Sequence, residues 1–177
     1  MAFGTGIAGA IIKNKKIHRG SHMIAGELSY IQFPLSRKEM DIPFFGLKSS
    51  TIGLVHRVAK ALNIDDQELN GEKIFEMLRD GNEVVKETLE DVYFEIALQC
   101  FNLQYIVDPE LICIGGGISE QAIFIEGIQR YIDKIYEHNA TMVKPFVKPK
   151  ITVCKFRNDS NLIGALYHYK QHIENII

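Results

Sequence analysis

The sequence predicts an α/β protein with a mixed sheet, and three observations carry that expectation. Up to residue 33 the chain holds short apolar runs broken by glycines and one polar tip, the pattern of strands joined by turns. From Thr51 the apolar positions change to a spacing of three to four residues, the pattern of amphipathic helices. Helical stretches then alternate with two more apolar runs, at 111–114 and 151–156, so strands and helices should form layers around a shared core.

Each element has its own local signal. Residues 6–12 are small and apolar, the tip Lys13-Asn14-Lys15-Lys16 follows, and Ile17 and His18 resume the run, which reads as a β-hairpin. Residues 28–33 alternate well enough for a third strand, and Pro34 and Pro43 bound an irregular stretch. Ile52, Val55, Val58, Ala59 and Leu62 keep helical spacing over 51–62, after the capping candidates Ser49 and Ser50. A short helix is expected over 72–79, stopped by Gly81. Asn82 can cap a long helix carrying Val85, Leu89, Val92, Ile96, Cys100 and Leu103, which ends before Pro109. A buried strand at 111–114 then precedes an amphipathic helix over 120–138, whose first amides face the glycine loop between them. Pro145 and Pro149 frame a link into the strand at 151–156, and Asp159 or Ser160 starts a last helix, from Asn161 to Asn175.

With 177 residues, 46% hydrophobic and 24% charged, the chain is expected to be a single domain, 1–177, with an ordinary soluble core. A net charge of -2 points away from nucleic acid and anionic membranes as partners. The basic run Lys13, Lys15, Lys16, His18 and Arg19 reads as a solvated hairpin tip. No apolar run has the length of a membrane span and the N-terminus lacks a signal-peptide pattern, so a cytoplasmic place is expected. Cys100, Cys113 and Cys154 lie far apart in apolar segments, without a C-x-x-C pair. They read as reduced core thiols rather than as disulfides or a zinc site. His168 and His172 share a helix face at i, i+4, but no third ligand accompanies them, so a solvated face is expected and no metal site is assigned.

Three segments carry chemistry. In Leu111-Ile112-Cys113-Ile114-Gly115-Gly116-Gly117-Ile118-Ser119 the glycines remove every Cβ where a strand ends, so a planar ligand could lie on bare backbone. The plainer alternative is a tight β-to-α turn, for which three glycines are costly in chain entropy. In Gly4-Thr5-Gly6-Ile7-Ala8-Gly9-Ala10 the amides and the Thr5 hydroxyl could hold phosphate oxygens, though such glycines also permit hairpins and close strand contacts. Glu27 follows a glycine in an otherwise uncharged segment, suiting either a grip on ligand hydroxyls or an exposed turn.

Taken together and in this order, the segments resemble the C-terminal lobe of the ROK family, named for repressors, open reading frames and sugar kinases. The resemblance spans nearly the whole chain. The family pattern G-T-G-I-G-G-G-I is matched from Gly4 to Ile11, with alanine at Ala8 and Ala10. R-G-x-x-x-x-A-G-E-x-G-H is matched by Arg19, Gly20, Ala25, Gly26 and Glu27, and I-x-I-G-G-G-x-S by the residues from Ile112 to Ser119. The closing N-D-x-x-L-I-G-A-A is matched by Asn158, Asp159, Leu162, Ile163, Gly164 and Ala165.

The resemblance implies an actin-like, ribonuclease-H-like fold in which two lobes close around ATP, magnesium and a sugar. It implies that Thr5 and Gly6 approach the ATP phosphates, that Gly115, Gly116 and Gly117 face the adenosine, and that Glu27 binds sugar hydroxyls. Tyr30 stands where the family has a histidine that helps hold the sugar and in many members ligates zinc. Tyr30 could donate to a sugar oxygen or fill the space of the zinc module. The cysteine cluster C-x-C-G-x-x-G-C-x-E has no counterpart between Gln32 and Ser50, so no structural zinc is expected.

The family's first phosphate loop, D-x-G-G-T, and its catalytic aspartate in N-D-A-N have no counterpart either. No catalytic residue is therefore assigned, and the chain is expected not to transfer phosphate efficiently unless an N-terminal lobe is supplied. Three readings follow: a glucokinase-like lobe awaiting its partner, a sugar-sensing regulatory module, or a degenerate remnant that self-associates. The resemblance implies that the last helix packs back toward the N-terminal lobe, so in all three readings Leu162, Ile163, Leu166 and Tyr169 are expected to lack their usual cover, and a homodimer is expected.

Overall fold

In a computed structural model the described residues are 1–32, 44–144 and 146–173. Four short strands open the chain: β1 (Ala2–Phe3), β2 (Ile7–Ala8), β3 (Ile11–Lys13) and β4 (Lys16–His18). Helices α1 (Phe45–Lys48), α2 (Thr51–Leu62), α3 (Gly71–Arg79) and α4 (Glu83–Val107) follow. Then come β5 (Ile112–Ile114), α5 (Ala122–His138), α6 (Ala140–Val143), β6 (Ile151–Val153) and α7 (Ser160–Ile173).

Four of the strands build the expected mixed sheet, and β3 and β4 pair apart from it as a hairpin. β2 lies antiparallel to β1, with Phe3 opposite Ile7. β1 meets the end of β5 in parallel: Phe3 N donates to Gly115 O at 2.9 Å and Gly115 N to Met1 O at 2.8 Å. β5 pairs in parallel with β6, Ile112 opposite Ile151. The lateral order is thus β2-β1-β5-β6, and both parallel strands beside the glycine loop end on the same side.

Helix α4 is the centre of the packing because its apolar residues recur every three to four positions and cover more than one face. Asn82 Oδ1 accepts from Val85 N at 3.1 Å to start it. Asp108, at φ 47°, turns the chain out just before Pro109. α5 approaches α4 closely at Gly127, where a Cβ would stand 2.5 Å from the ring of Tyr93. Phe124, one turn earlier and fully buried, meets Phe3, Tyr93 and Phe75 edge-on at centroid distances of 5.8, 5.7 and 6.4 Å. Sheet, α3, α4 and α5 are thereby joined at one ring.

Several strand expectations need correction. Residues 6–12 are not one strand: the chain breaks at Gly9, where a Cβ would lie 2.5 Å from Gly26 O, so the backbone of the following loop occupies that space. The hairpin is the shorter β3–β4 pair, with Asn14 and Lys15 at φ 53° and 62°, the twisted two-residue turn that suits right-handed strands. Among the described residues of the stretch expected as a third strand, 28–32, Leu28–Tyr30 are not extended. Gly26, at φ 97°, turns the chain across Gly9 and Ala10, and Leu28–Tyr30 coil into a single 3-10 turn. Ser29 replaces strand pairing with its side chain, since Ile7 N donates to its Oγ at 2.9 Å and the hydroxyl donates to Ile7 O at 3.1 Å. Gln32 bridges to Phe44. Phe33, the stretch bounded by Pro34 and Pro43, Pro145 and Asn175 lie outside the described residues.

The strand expected over 151–156 stops at Val153: Arg157 N donates to Cys154 O at 3.0 Å, which closes a turn, and Arg157, at φ 42°, leads into the 3-10 turn Arg157–Asp159. Helix α7 then runs with residues 161–171 all exposed, and its apolar stripe includes Leu162 at 73% and Tyr169 at 62% exposure. Among the described residues no helix is long and apolar enough to cross a membrane.

Candidate functional site

A cleft of about 550 Å³ opens where β1 and β5 end, the carboxyl side of the parallel strands where α/β sheets commonly take ligands. Phe3, Ile52, Phe75 and Ile118 give it apolar walls. Thr5, Thr51, Asn70, Glu72, Gln121 and Asn158 give it a polar rim, and Gly4, Gly71 and Gly117 leave bare backbone between them.

Local sequence explains how these residues are held. The Gly4 loop closes on itself, Gly4 N donating to Gly6 O at 2.9 Å, and Thr51 N donates to Gly4 O at 3.0 Å, tying the loop to the start of α2. Ser50 Oγ accepts from Gly53 N at 3.1 Å and Asn70 Oδ1 from Lys73 N at 2.9 Å, so both α2 and α3 begin with a side-chain cap beside the cleft. The two helix starts are neighbours, since a Cβ on Gly71 would lie 3.7 Å from Thr51 Cγ2. Their partial positive ends therefore add in one place and favour an anionic group there. On the far wall Arg157 Nη1 donates to Glu120 Oε2 at 2.7 Å. This joins the 3-10 turn Gly117–Glu120 to the Arg157–Asp159 turn that carries Asn158.

The three glycines of the β5 loop have three different surroundings. Gly115 pairs with β1, and a Cβ there would press on Cys154 Sγ at 3.1 Å. Gly116, at φ 88°, has Phe3 O only 2.1 Å from the position of a Cβ. Gly117 has nothing within 4 Å and faces the cleft. Gly115 and Gly116 thus have a packing reason to be glycine, whereas Gly117 has open space.

Of the residues singled out in the sequence, Thr5 and Gly117 come together in the cleft. Gly6 sits behind it, its Cβ position 2.9 Å from Ser29 Oγ. Glu27 is exposed on the loop that packs over Gly9 and does not line the cleft. Tyr30 is 71% exposed and stands edge-on to Phe44 at 6.0 Å. Thr51, Asn70, Glu72 and Gln121 were not legible as site residues. Nothing near them in sequence marks them, and only the convergence of five segments gives them a shared role.

The thiols divide by burial. All three are free. Cys100 is a core thiol whose pKa burial pushes up to about 12. Cys154 is half-buried and also raised, chiefly by desolvation, whereas Cys113 is exposed, which corrects the expectation that all three lie in the core. His168 is exposed on α7. Among the described residues no three His, Cys, Asp or Glu side chains gather closely enough to hold a metal ion.

A mixed sheet flanked by helices, with a cleft at the carboxyl ends of its parallel strands, is an α/β arrangement, and the solved structures it superposes on place it in the actin-like class. The ROK family model matches residues 1–172, and the chain belongs to the ROK family. It is 28% identical to a β-glucoside kinase of Listeria monocytogenes over 97% of this chain and 55% of that protein. A crystal structure of a ROK family protein from Streptococcus pneumoniae in complex with sucrose superposes with TM-score 0.85 at 29% identity, covering 98% of this chain and 58% of that one. A ROK glucokinase from Streptomyces griseus, in complex with glucose and AMPPNP, shares the fold at TM-score 0.77 and 18% identity, over 93% of this chain and 57% of that one. The chain therefore spans about half the length of the curated relatives it matches.

Proposed function

We propose that this chain is the C-terminal lobe of a ROK-type, ATP-dependent sugar kinase, supplying nucleotide and sugar contacts and requiring a complementary lobe for phosphoryl transfer. The observation that carries the reading is the cleft that unites Thr5, Gly117 and two helix N-termini. Its volume is in the range of small-molecule sites, about 300–1,000 Å³. Its apolar walls suit a nucleobase and its capped helix starts suit phosphate oxygens. Thr5, with Gly6 behind it, takes the phosphates, Gly117 takes the adenosine, and Gly115 and Gly116 hold the strand beneath it. Among the described residues lining the cleft Glu72 is the one carboxylate, so magnesium would arrive with the nucleotide and be held mainly by phosphate and water oxygens. Glu27 and Tyr30 lie on exposed loops where sugar hydroxyls can reach them once the second lobe closes. A cytoplasmic place suits three free thiols.

The stripe of Leu162, Ile163, Leu166 and Tyr169 on α7 is the seat of the complementary lobe, and a second copy of the chain covers it otherwise. Calorimetric titration with ATP-magnesium and a sugar panel, with and without the N-terminal half of the Listeria monocytogenes β-glucoside kinase, tests both statements. The expected outcome is a sugar heat lost in Glu27→Ala, together with a dimer in sedimentation that becomes a one-to-one complex on mixing. A complex that forms yet binds neither ligand contradicts the kinase reading.

A further inference from the structure

The α1–α2 corner beside the cleft is held from below by one buried carboxylate. Glu95, on the central helix α4 and only 6% exposed, accepts from Ser49 Oγ at 2.6 Å and from Arg57 Nη1 at 2.9 Å through the same oxygen. Its other oxygen pairs with Lys48 Nζ at 2.8 Å. Arg57 is also held by Asp91 at 3.2 Å. A carboxylate placed among apolar core residues is stable only when its oxygens are satisfied in this way.

The corner it grips has little freedom of its own. At Gly53 a Cβ would stand 2.3 Å from Leu47 O and 2.7 Å from Lys48 O, so α2 packs directly on the backbone of α1. Ser50, fixed between the two helices, caps α2, and the next residue donates the hydrogen bond from Thr51 N to Gly4 O. A continuous chain of contacts thus runs from Glu95 through Ser49 and Thr51 to the loop that carries Thr5. Of the residues in this chain of contacts, Gly4, Thr5 and Thr51 line the cleft, whereas Glu95 and Ser49 do not.

We infer that Glu95 is a positioning residue for the Gly4 and Thr5 edge of the cleft, acting through the α1–α2 corner; its consequence for ligand affinity rests on the nucleotide reading of that cleft. Hydrogen exchange followed by NMR tests the positioning without any ligand. In Glu95→Gln, and in the milder Ser49→Ala that leaves both cations paired, the Thr51 amide exchanges roughly tenfold faster or more, while Ile96 and Ala97 in the core of α4 keep their rates. A merely structural role changes all of these amides alike, and that result, or no change at Thr51 in either variant, overturns the inference. Adenine-nucleotide binding to the same variants is the second readout. Local release at Thr51 with weakened nucleotide binding supports both statements. Local release in a chain that binds no nucleotide even as wild type upholds the positioning and removes the nucleotide reading.

Discussion

Replacement of Gly116 by alanine is expected to cost about 3–5 kcal/mol of folding stability, among the largest effects of a single methyl group in this chain. Two causes add. The residue sits at φ 88°, where a side chain brings strain of about 1–3 kcal/mol by itself. The new Cβ would also lie 2.1 Å from Phe3 O and 2.8 Å from Phe3 N, inside the backbone of β1. That strand cannot step aside cheaply, because it pairs with Gly115 on one side and with β2 on the other. The Phe3 side chain is 2% exposed and wedged edge-on between Phe45 and Phe124 at 6.5 and 5.8 Å. Urea denaturation of the two proteins measures the loss, and an unchanged midpoint would show that β1 and the glycine loop are not in contact.

Gly117→Leu, one residue along, is expected to give the opposite pattern. Nothing lies within 4 Å of the Cβ position and the backbone is not in the left-handed region, so stability should stay within about 0.5 kcal/mol of the parent. The leucine would instead project into the cleft beside Thr5 and Ile118, the part of it proposed to take the adenosine. Adenine-nucleotide affinity should fall at least about tenfold, the equivalent of roughly 1.4 kcal/mol. Binding that survives the leucine would move the nucleotide out of this cleft.

The helical part of the fold was legible because its signals are local. Ser50 and Asn82, expected as caps, each cap a helix through their own side chain, and the apolar spacing from Val85 to Leu103 defines α4 without reference to anything distant. The sheet was less legible, because its interruptions come from remote partners. Nothing near Gly9 in sequence announces that Gly26 will lie against it, and the alternation of residues 28–33 gives no hint that Ser29 will satisfy β2 with a hydroxyl. The glycine run illustrates the same limit at the site. As letters Gly115, Gly116 and Gly117 are equivalent; only the approach of β1 and of Cys154 separates the two that serve packing from the one that faces open space. Glu95 reads in the sequence as an ordinary helical glutamate, since Lys48, Ser49 and Arg57 reach it from two other helices.

The first measurement to make is an NMR titration of the unmodified chain with ATP-magnesium to millimolar concentration, followed at the backbone amides. The expected shifts are confined to Gly4, Thr5, Thr51, Gly71, Gly117 and Asn158, with a weak affinity that rises when the complementary lobe is added. Saturation that leaves these amides unmoved while others shift, or no shift even with that lobe bound, would contradict the reading of this cleft as half of a nucleotide site.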